Sequence, residues 1–173
     1  IRADPRVGIA ACGSGRRGWI RRMFTALLCT DGSELARGSL AEGLSVIAKP
    51  DRVILMTAVS IVAPQDTIGA GVAGGVAMTG EQFQRFVDES LDATRQQLQE
   101  TARELGLENP EYMLPTGSPA HEICDLAASL EASVIVLGTR GHGGLRRAVL
   151  GSVSDHVLRH APCPVVITAP RGH

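Results

Sequence analysis

The sequence predicts one α/β domain: a single open five-stranded parallel sheet with helices on both faces. Three observations predict it. Five short apolar runs alternate with four longer segments whose apolar residues recur at helical spacing. The inner runs are nearly unbroken in Val, Ile, Leu and Met, as strands covered on both faces are. Several runs end at Gly, Ser or Asp, which turn the chain and cap helices, so each strand can lead through a right-handed crossover to the next. With 173 residues, 44% of them hydrophobic and 20% charged, the chain has material for one full core.

The elements follow in order. Met23 to Cys29 is the first strand and ends at Thr30-Asp31-Gly32-Ser33, where Ser33 is expected to cap a helix with Leu35, Leu40, Leu44 and Ile47 on its inner stripe. Pro50-Asp51 breaks the chain, and Arg52 to Val59 forms the second strand. Residues 60–80 are small, glycine-rich and long for a connection, and are expected to form a mobile loop. A long helix runs from Glu81 to Leu105, with Phe83, Phe86, Val87, Leu91, Thr94, Leu98 and Leu105 inward and Gly106 as its stop. Glu111 to Leu114 is the third strand; Ser118 is the expected cap of a helix beginning at Pro119, with Ile123, Leu126, Ala127 and Leu130 inward. Ser133 to Leu137 is the fourth strand. Gly151 and Ser152 open the last helix, lined by Val153, Val157 and Leu158, and Val165 to Thr168 is the fifth strand.

Residues 1–22 show no sustained helical or strand period and are expected to be a basic leader outside the fold, disordered or appended, with a basic arm for an acidic partner as the other reading. The domain proper is expected over residues 23–170. The leader also hides a charge asymmetry. Its six arginines against Asp4 leave 11 basic and 17 acidic residues, a net charge of -6, for the rest. A net-acidic body without a basic face argues against nucleic acid as the main partner, and none is expected. Cys12, Cys29, Cys124 and Cys163 form no C-x-x-C pair, so isolated buried thiols in a reducing compartment account for them. No apolar stretch approaches the ~20 residues of a membrane span, and the start lacks the apolar core of a secretory signal, so a cytoplasmic protein without membrane contact is expected.

The chemistry concentrates between Gly138 and Ser152. Gly138 closes the fourth strand, where a glycine can take positive φ and bring bare backbone against a ligand. Gly151 and Ser152 open a helix whose first N–H groups have no intrahelical partner and attract anions. Arg140, Arg146 and Arg147 border the loop, where guanidinium groups can clamp phosphate, with solvated surface as the better reading, and His142 inside it is a better candidate for touching phosphate. The loop has no Walker lysine and no tight G-x-G-x-x-G. If the first and fourth strands are neighbours where strand order reverses, Asp31 and this loop share one crevice. Asp31 is then a nucleotide contact or part of a helix cap. His156 and His160 lie four apart on a helix, but no third ligand accompanies them at matching spacing, so no metal site is expected.

Gly138, Gly141, Gly151 and Ser152 satisfy G-x-x-G, nine residues, then G-[ST]. Together with T-D-G-S after the first strand and the ending G-S-V-S-D-H-V-L-R-H-A-P-C-P-V-V-I-T, they make the chain closely resemble the universal stress protein family, in its ATP-binding class. The resemblance covers nearly everything from Met23 to Pro170 and implies a Rossmann-like, adenine-nucleotide-hydrolase-like sheet. It implies that Asp31, beside Thr30, approaches the nucleotide and that the backbone at Ala58 hydrogen-bonds adenine. It also implies that Gly138, Gly141, Gly151, Ser152, Val153 and Ser154 surround ribose and phosphates, with Thr139 adjoining. ATP is the implied ligand, with Mg²⁺ held mainly by the phosphates. An antiparallel homodimer through Val165, Val166, Ile167 and Thr168 is implied as well. Thr57 stands where many relatives have His, and Cys29 where Pro or Ala is frequent; neither threatens a backbone contact to adenine, though Cys29 could alter how closely the chain approaches the base.

The leading expectation is a binding module: a nucleotide-sensing or nucleotide-carrying regulator with an unidentified protein partner. A slow ATPase or nucleotide-dependent transferase is the alternative from another class, weakened because Asp31 is the one clear carboxylate near the site. A regulatory dimer with an empty crevice is the third.

Overall fold

The computed structural model describes residues 23–59, 79–139 and 150–169. Five strands, β1 (Thr25–Cys29), β2 (Arg52–Met56), β3 (Glu111–Met113), β4 (Val134–Gly138) and β5 (Val165–Thr168), alternate with helices α1 (Glu34–Val46), α2 (Gly80–Glu104), α3 (Pro119–Ser129) and α4 (Ser152–His160). The strands form one parallel sheet in the order β3-β2-β1-β4-β5. The leader and the glycine-rich segment 60–78 lie outside the described residues, so the expectations for them are not addressed by the fold.

The strand sequences explain why the sheet sits in the middle. Ala26 and Leu28 of β1, Leu55 of β2, and Val134 and Val136 of β4 pack with Leu40 of α1 and Leu98 and Ala102 of α2. The alternate residues, Leu27, Cys29, Ile54, Met56, Ile135 and Leu137, pack with Ile123 and Ala127 of α3 and Val157 of α4. Successive side chains point to opposite faces, so a strand covered on both sides must be apolar at every position. Each large aliphatic side chain buried this way contributes about 1.5–3 kcal/mol. α1 comes close to the sheet because Gly43 has no side chain; a Cβ there would run into Val136.

Several local expectations are met. Ser33 caps α1 by accepting from the Ala36 N–H at 3.1 Å, and Gly106, just beyond α2, has φ of 61°. Others are corrected. Leu35 and Leu158, expected inward, are 48% and 52% exposed. The first half of α2 lies outside the core, with Phe86 exposed and Phe83, Val87 and Leu91 only half-buried, whereas Leu98, Thr101 and Ala102 are buried. The helix spans 25 residues, roughly 37 Å, against a five-residue strand of roughly 17 Å, so part of it overhangs the sheet. α2 begins with a capping box between Thr79 and Gln82, and Ser118 stands at the start of α3 without making a side-chain cap bond. The second strand ends at Met56, three residues short of the expected Val59, which forms a single bridge to Thr116.

Candidate functional site

Strand order reverses between β1 and β4, which are parallel neighbours: one leads outward to β2 and β3, the other to β5. Their connections leave on opposite faces, opening a crevice beyond the carboxyl ends of these strands. The Thr30–Ser33 turn after β1 and the Gly138–Thr139 end of β4 thus meet, as the topology of the sequence predicts.

The turn is tightly bonded. The Thr30 N–H donates to Met56 O at 3.0 Å, and the Gly32 N–H donates to the buried Thr30 hydroxyl at 3.0 Å. Gly32 has φ of 78°, a conformation that favours glycine. Asp31 Oδ1 accepts from the Ser33 N–H at 3.0 Å and from the Ser33 hydroxyl at 2.7 Å. Ser33 is therefore the cap, and Asp31 buttresses it while its carboxylate is oriented at the mouth of α1. The Gly32 carbonyl accepts from Arg37 Nη1 at 3.0 Å and from Gln97 Nε2 at 3.2 Å. The second partner is not legible in the sequence, since Gln97 lies 65 residues from Gly32.

Beyond β2 the chain stays extended. The N–H groups of Thr57 and Val59 donate to Met113 O and Pro115 O at 3.2 and 2.8 Å, and Gly117 N–H donates to Val59 O at 3.3 Å. In a parallel ladder alternate residues face opposite neighbours. The N–H and C=O of the half-buried Ala58 accordingly face away from β3, toward the side where β1 has turned off at Asp31. A donor and an acceptor side by side on one backbone edge can pair with a heterocyclic ring.

On the other side of the crevice, Gly138 belongs to β4 and pairs with Thr168. The positive φ expected of it is not found: among the described glycines only Gly32, Gly106 and Gly117 have positive φ. Thr139 ties two elements together. Its N–H donates to Thr168 O at 2.9 Å, and its carbonyl accepts from the Gly151 N–H at 3.0 Å and faces the Ser154 hydroxyl at 3.3 Å. The Ser154 hydroxyl also lies 2.9 Å from Gly151 O and is 2% exposed, so it faces the protein and pins the helix start. Gly151 is the N-cap of α4 and brings no capping side chain. The first-turn N–H groups of Ser152, Val153 and Ser154 therefore point at the crevice end without intrahelical partners, beside the exposed Ser152 hydroxyl. Arg140, Gly141 and His142, expected to line the same place, lie outside the described residues.

Outside the crevice, the His156 ring stacks on His160 at 4.2 Å and meets His121 edge-on at 4.7 Å. Partial burial and the two neighbouring imidazoles push the His156 pKa down. Among the described residues no group of three or more His, Cys, Asp or Glu is disposed to hold a metal ion. Cys29, Cys124 and Cys163 are free thiols, and burial pushes the Cys29 thiol up. No helix of the described residues is long and apolar enough to cross a membrane. β5 is an edge strand, and its four residues, Val165, Val166, Ile167 and Thr168, are each half-buried.

A family model described as the universal stress protein family matches residues 12–169. A universal stress protein of Methanocaldococcus jannaschii is 30% identical over 138 residues, 80% of this chain and 77% of that one. Among solved structures, hypothetical protein MJ0577 superposes with a TM-score of 0.65 at 17% identity, covering 87% of this chain and 99% of that one. A universal stress protein in complex with cAMP gives 0.56 at 22% identity over 86% of this chain and 98% of its own. A universal stress family protein from Arabidopsis thaliana with AMP bound gives 0.52 at 17% identity over 84% and 90%. These likenesses establish a shared Rossmann-like fold.

Proposed function

Because the chain belongs to the universal stress protein family, we propose that its crevice binds an adenine nucleotide, ATP by preference, and that the protein acts as a nucleotide-sensing or nucleotide-carrying regulator of stress responses. One observation carries the reading: at the β1–β4 reversal the Ala58 backbone edge, the oriented Asp31 carboxylate and the uncapped start of α4 converge from three sides. Each suits a different part of one ligand. The paired donor and acceptor at Ala58 match the edge of an adenine ring. Asp31 can accept from ribose hydroxyls, and the α4 N–H groups suit phosphate oxygens. That proteins of the same fold hold cAMP and AMP supports the adenine class. ATP over its shorter relatives rests on the complete glycine pattern from Gly138 to Ser152, which offers backbone to more than one phosphate.

Mg²⁺ fits such a site only as a companion of the phosphates. A hard cation prefers several oxygen ligands, and among the described residues the crevice offers it one carboxylate, whose Oδ1 already accepts from Ser33. The same fact favours binding over hydrolysis, because a carboxylate engaged in a helix cap is an orienting acceptor and a weak candidate for activating water. The edge strand β5 is the proposed pairing surface for a second copy, in the cytoplasm, with a regulatory protein as the further partner. Denaturing the purified protein and analysing the released small molecules by mass spectrometry tests the binding reading. Unhydrolysed ATP at close to one per chain is expected. Steady ADP production that Asp31→Ala abolishes would instead make the protein an ATPase.

A further inference from the structure

We propose that Gln97 and Arg37 are positioning residues of the nucleotide site, acting on Asp31 through the peptide unit between Gly32 and Ser33. The inference rests on the reading of the crevice above and extends it to the long helix α2. The carbonyl of Gly32 and the N–H of Ser33 belong to one planar group, so what holds one end orients the other. At the oxygen end, Arg37 Nη1 and Gln97 Nε2 both donate, at 3.0 and 3.2 Å. At the nitrogen end, the N–H donates to Asp31 Oδ1 at 3.0 Å. The arginine is itself held from α2, its Nε lying 2.8 Å from Glu104 Oε2. Gln97 and Glu104 are two turns apart on that helix, so one face of α2 supports the turn directly through Gln97 and indirectly through Glu104 and Arg37.

The arrangement matters because of where the peptide sits. Gly32, with φ of 78°, adjoins it, and a glycine allows the neighbouring peptide to turn over at little steric cost. In the reversed orientation the Ser33 N–H would leave Asp31 Oδ1. Two donors on the carbonyl oxygen oppose that rotation. They also draw electron density toward the oxygen and make the N–H at the other end a stronger donor to the carboxylate. The contact is close: a Cβ on Gly32 would collide with the Gln97 amide. Asp31 is thus aimed by side chains behind it, one of them on α2.

Gln97→Met keeps the length of the side chain and removes the donor; Gln97→Glu replaces the donor with an acceptor. Gln97 is exposed, so both are expected to fold, and thermal melting checks it. Titration with ATP should show the dissociation constant raised roughly fivefold in Gln97→Met and at least as much in Gln97→Glu, with the melting temperature nearly unchanged. In an Asp31→Ala background the same Gln97→Met change should alter affinity less than about twofold, because the group it acts through is gone. Equal weakening in both backgrounds would overturn the proposal. The Ser33 amide, followed by NMR without nucleotide, gives an independent readout: Gln97→Met should move its proton upfield and speed its exchange. An unmoved Ser33 amide overturns the proposal even where ATP binds well, whereas a parent chain that ignores ATP overturns the reading of the crevice and leaves the amide test standing.

Discussion

Replacing Gly32 with alanine should destabilise the protein by about 2 kcal/mol, as the sum of two separable costs. Gly32 has φ of 78°, and a Cβ in that region costs roughly 1–2 kcal/mol. The new methyl also collides with the Gln97 amide, which lies at the far end of a flexible, exposed side chain. Gln97 can swing away, and the loss is then its 3.2 Å bond to the Gly32 carbonyl, about 0.5–1 kcal/mol. For a domain of this size the sum lowers the melting temperature by about 4–8 °C. Urea unfolding followed by circular dichroism measures it, with an unchanged m-value expected because the surface exposed on unfolding is the same. Gly32→Asn separates the two costs: asparagine tolerates left-handed backbone, so only part of the loss should appear. A Gly32→Ala protein melting within about 1 °C of the parent would refute the reasoning.

Ala58→Pro removes the N–H proposed to face adenine while the ladder to β3, which uses Thr57 and Val59, stays whole; calorimetry should show ATP affinity reduced roughly tenfold with a small change in stability. For the proposed dimer, Ile135 N–H donates to Pro164 O and Thr139 N–H to Thr168 O, so the even positions of β5 face β4 and Val165 and Ile167 face outward. Ile167→Pro should therefore give monomers in sedimentation, whereas Val166→Pro would break the β4–β5 ladder, and a persistent Ile167→Pro dimer would place the interface elsewhere. The lowered His156 pKa predicts a stability loss in mild acid. A base whose folded pKa lies below its unfolded value resists protonation only when folded, so stability is full above the ordinary value near 6.5 and declines as pH falls through it. His156→Gln should flatten that part of the profile.

Much of this was legible in the sequence because the strongest constraints are local. Leu27, Leu28, Ile54, Leu55, Ile135 and Val136 are fully buried in strands covered on both sides, and an unbroken apolar run is the direct imprint of that. Ser33 and Gly106 punctuate helices for equally local reasons. The misreadings came from geometry that composition does not encode. The helical stripe places Phe83, Phe86 and Val87 on a common side of α2, but whether the sheet extends beneath them depends on strand length and on where the helix lies. Leu35 and Leu158 carry apolar side chains on outward arcs of α1 and α4, which periodicity alone does not separate from the core. Gly138 is expected from the sequence to take positive φ, but it continues the ladder to Thr168; the positive φ belongs to Gly32 in the opposite wall. Gly151 and Ser152 stand out by spacing and Asp31 by its place after the first strand, whereas Ala58 is reached only through the family resemblance. Gln97, which holds Asp31's turn from behind, is not legible, because a hydrogen bond between segments 65 residues apart leaves no pattern in either.

The central claim is that the crevice at the β1–β4 reversal takes an adenine nucleotide. Isothermal titration calorimetry of the nucleotide-stripped protein with ATP, with GTP run alongside, tests it most directly. Saturable binding of one ATP per chain is predicted, with GTP bound much more weakly because its ring edge presents the wrong donor and acceptor to the Ala58 backbone. No heat with ATP, confirmed by unmoved backbone amides of Ala58 and Ser152 in NMR at saturating nucleotide, would contradict it.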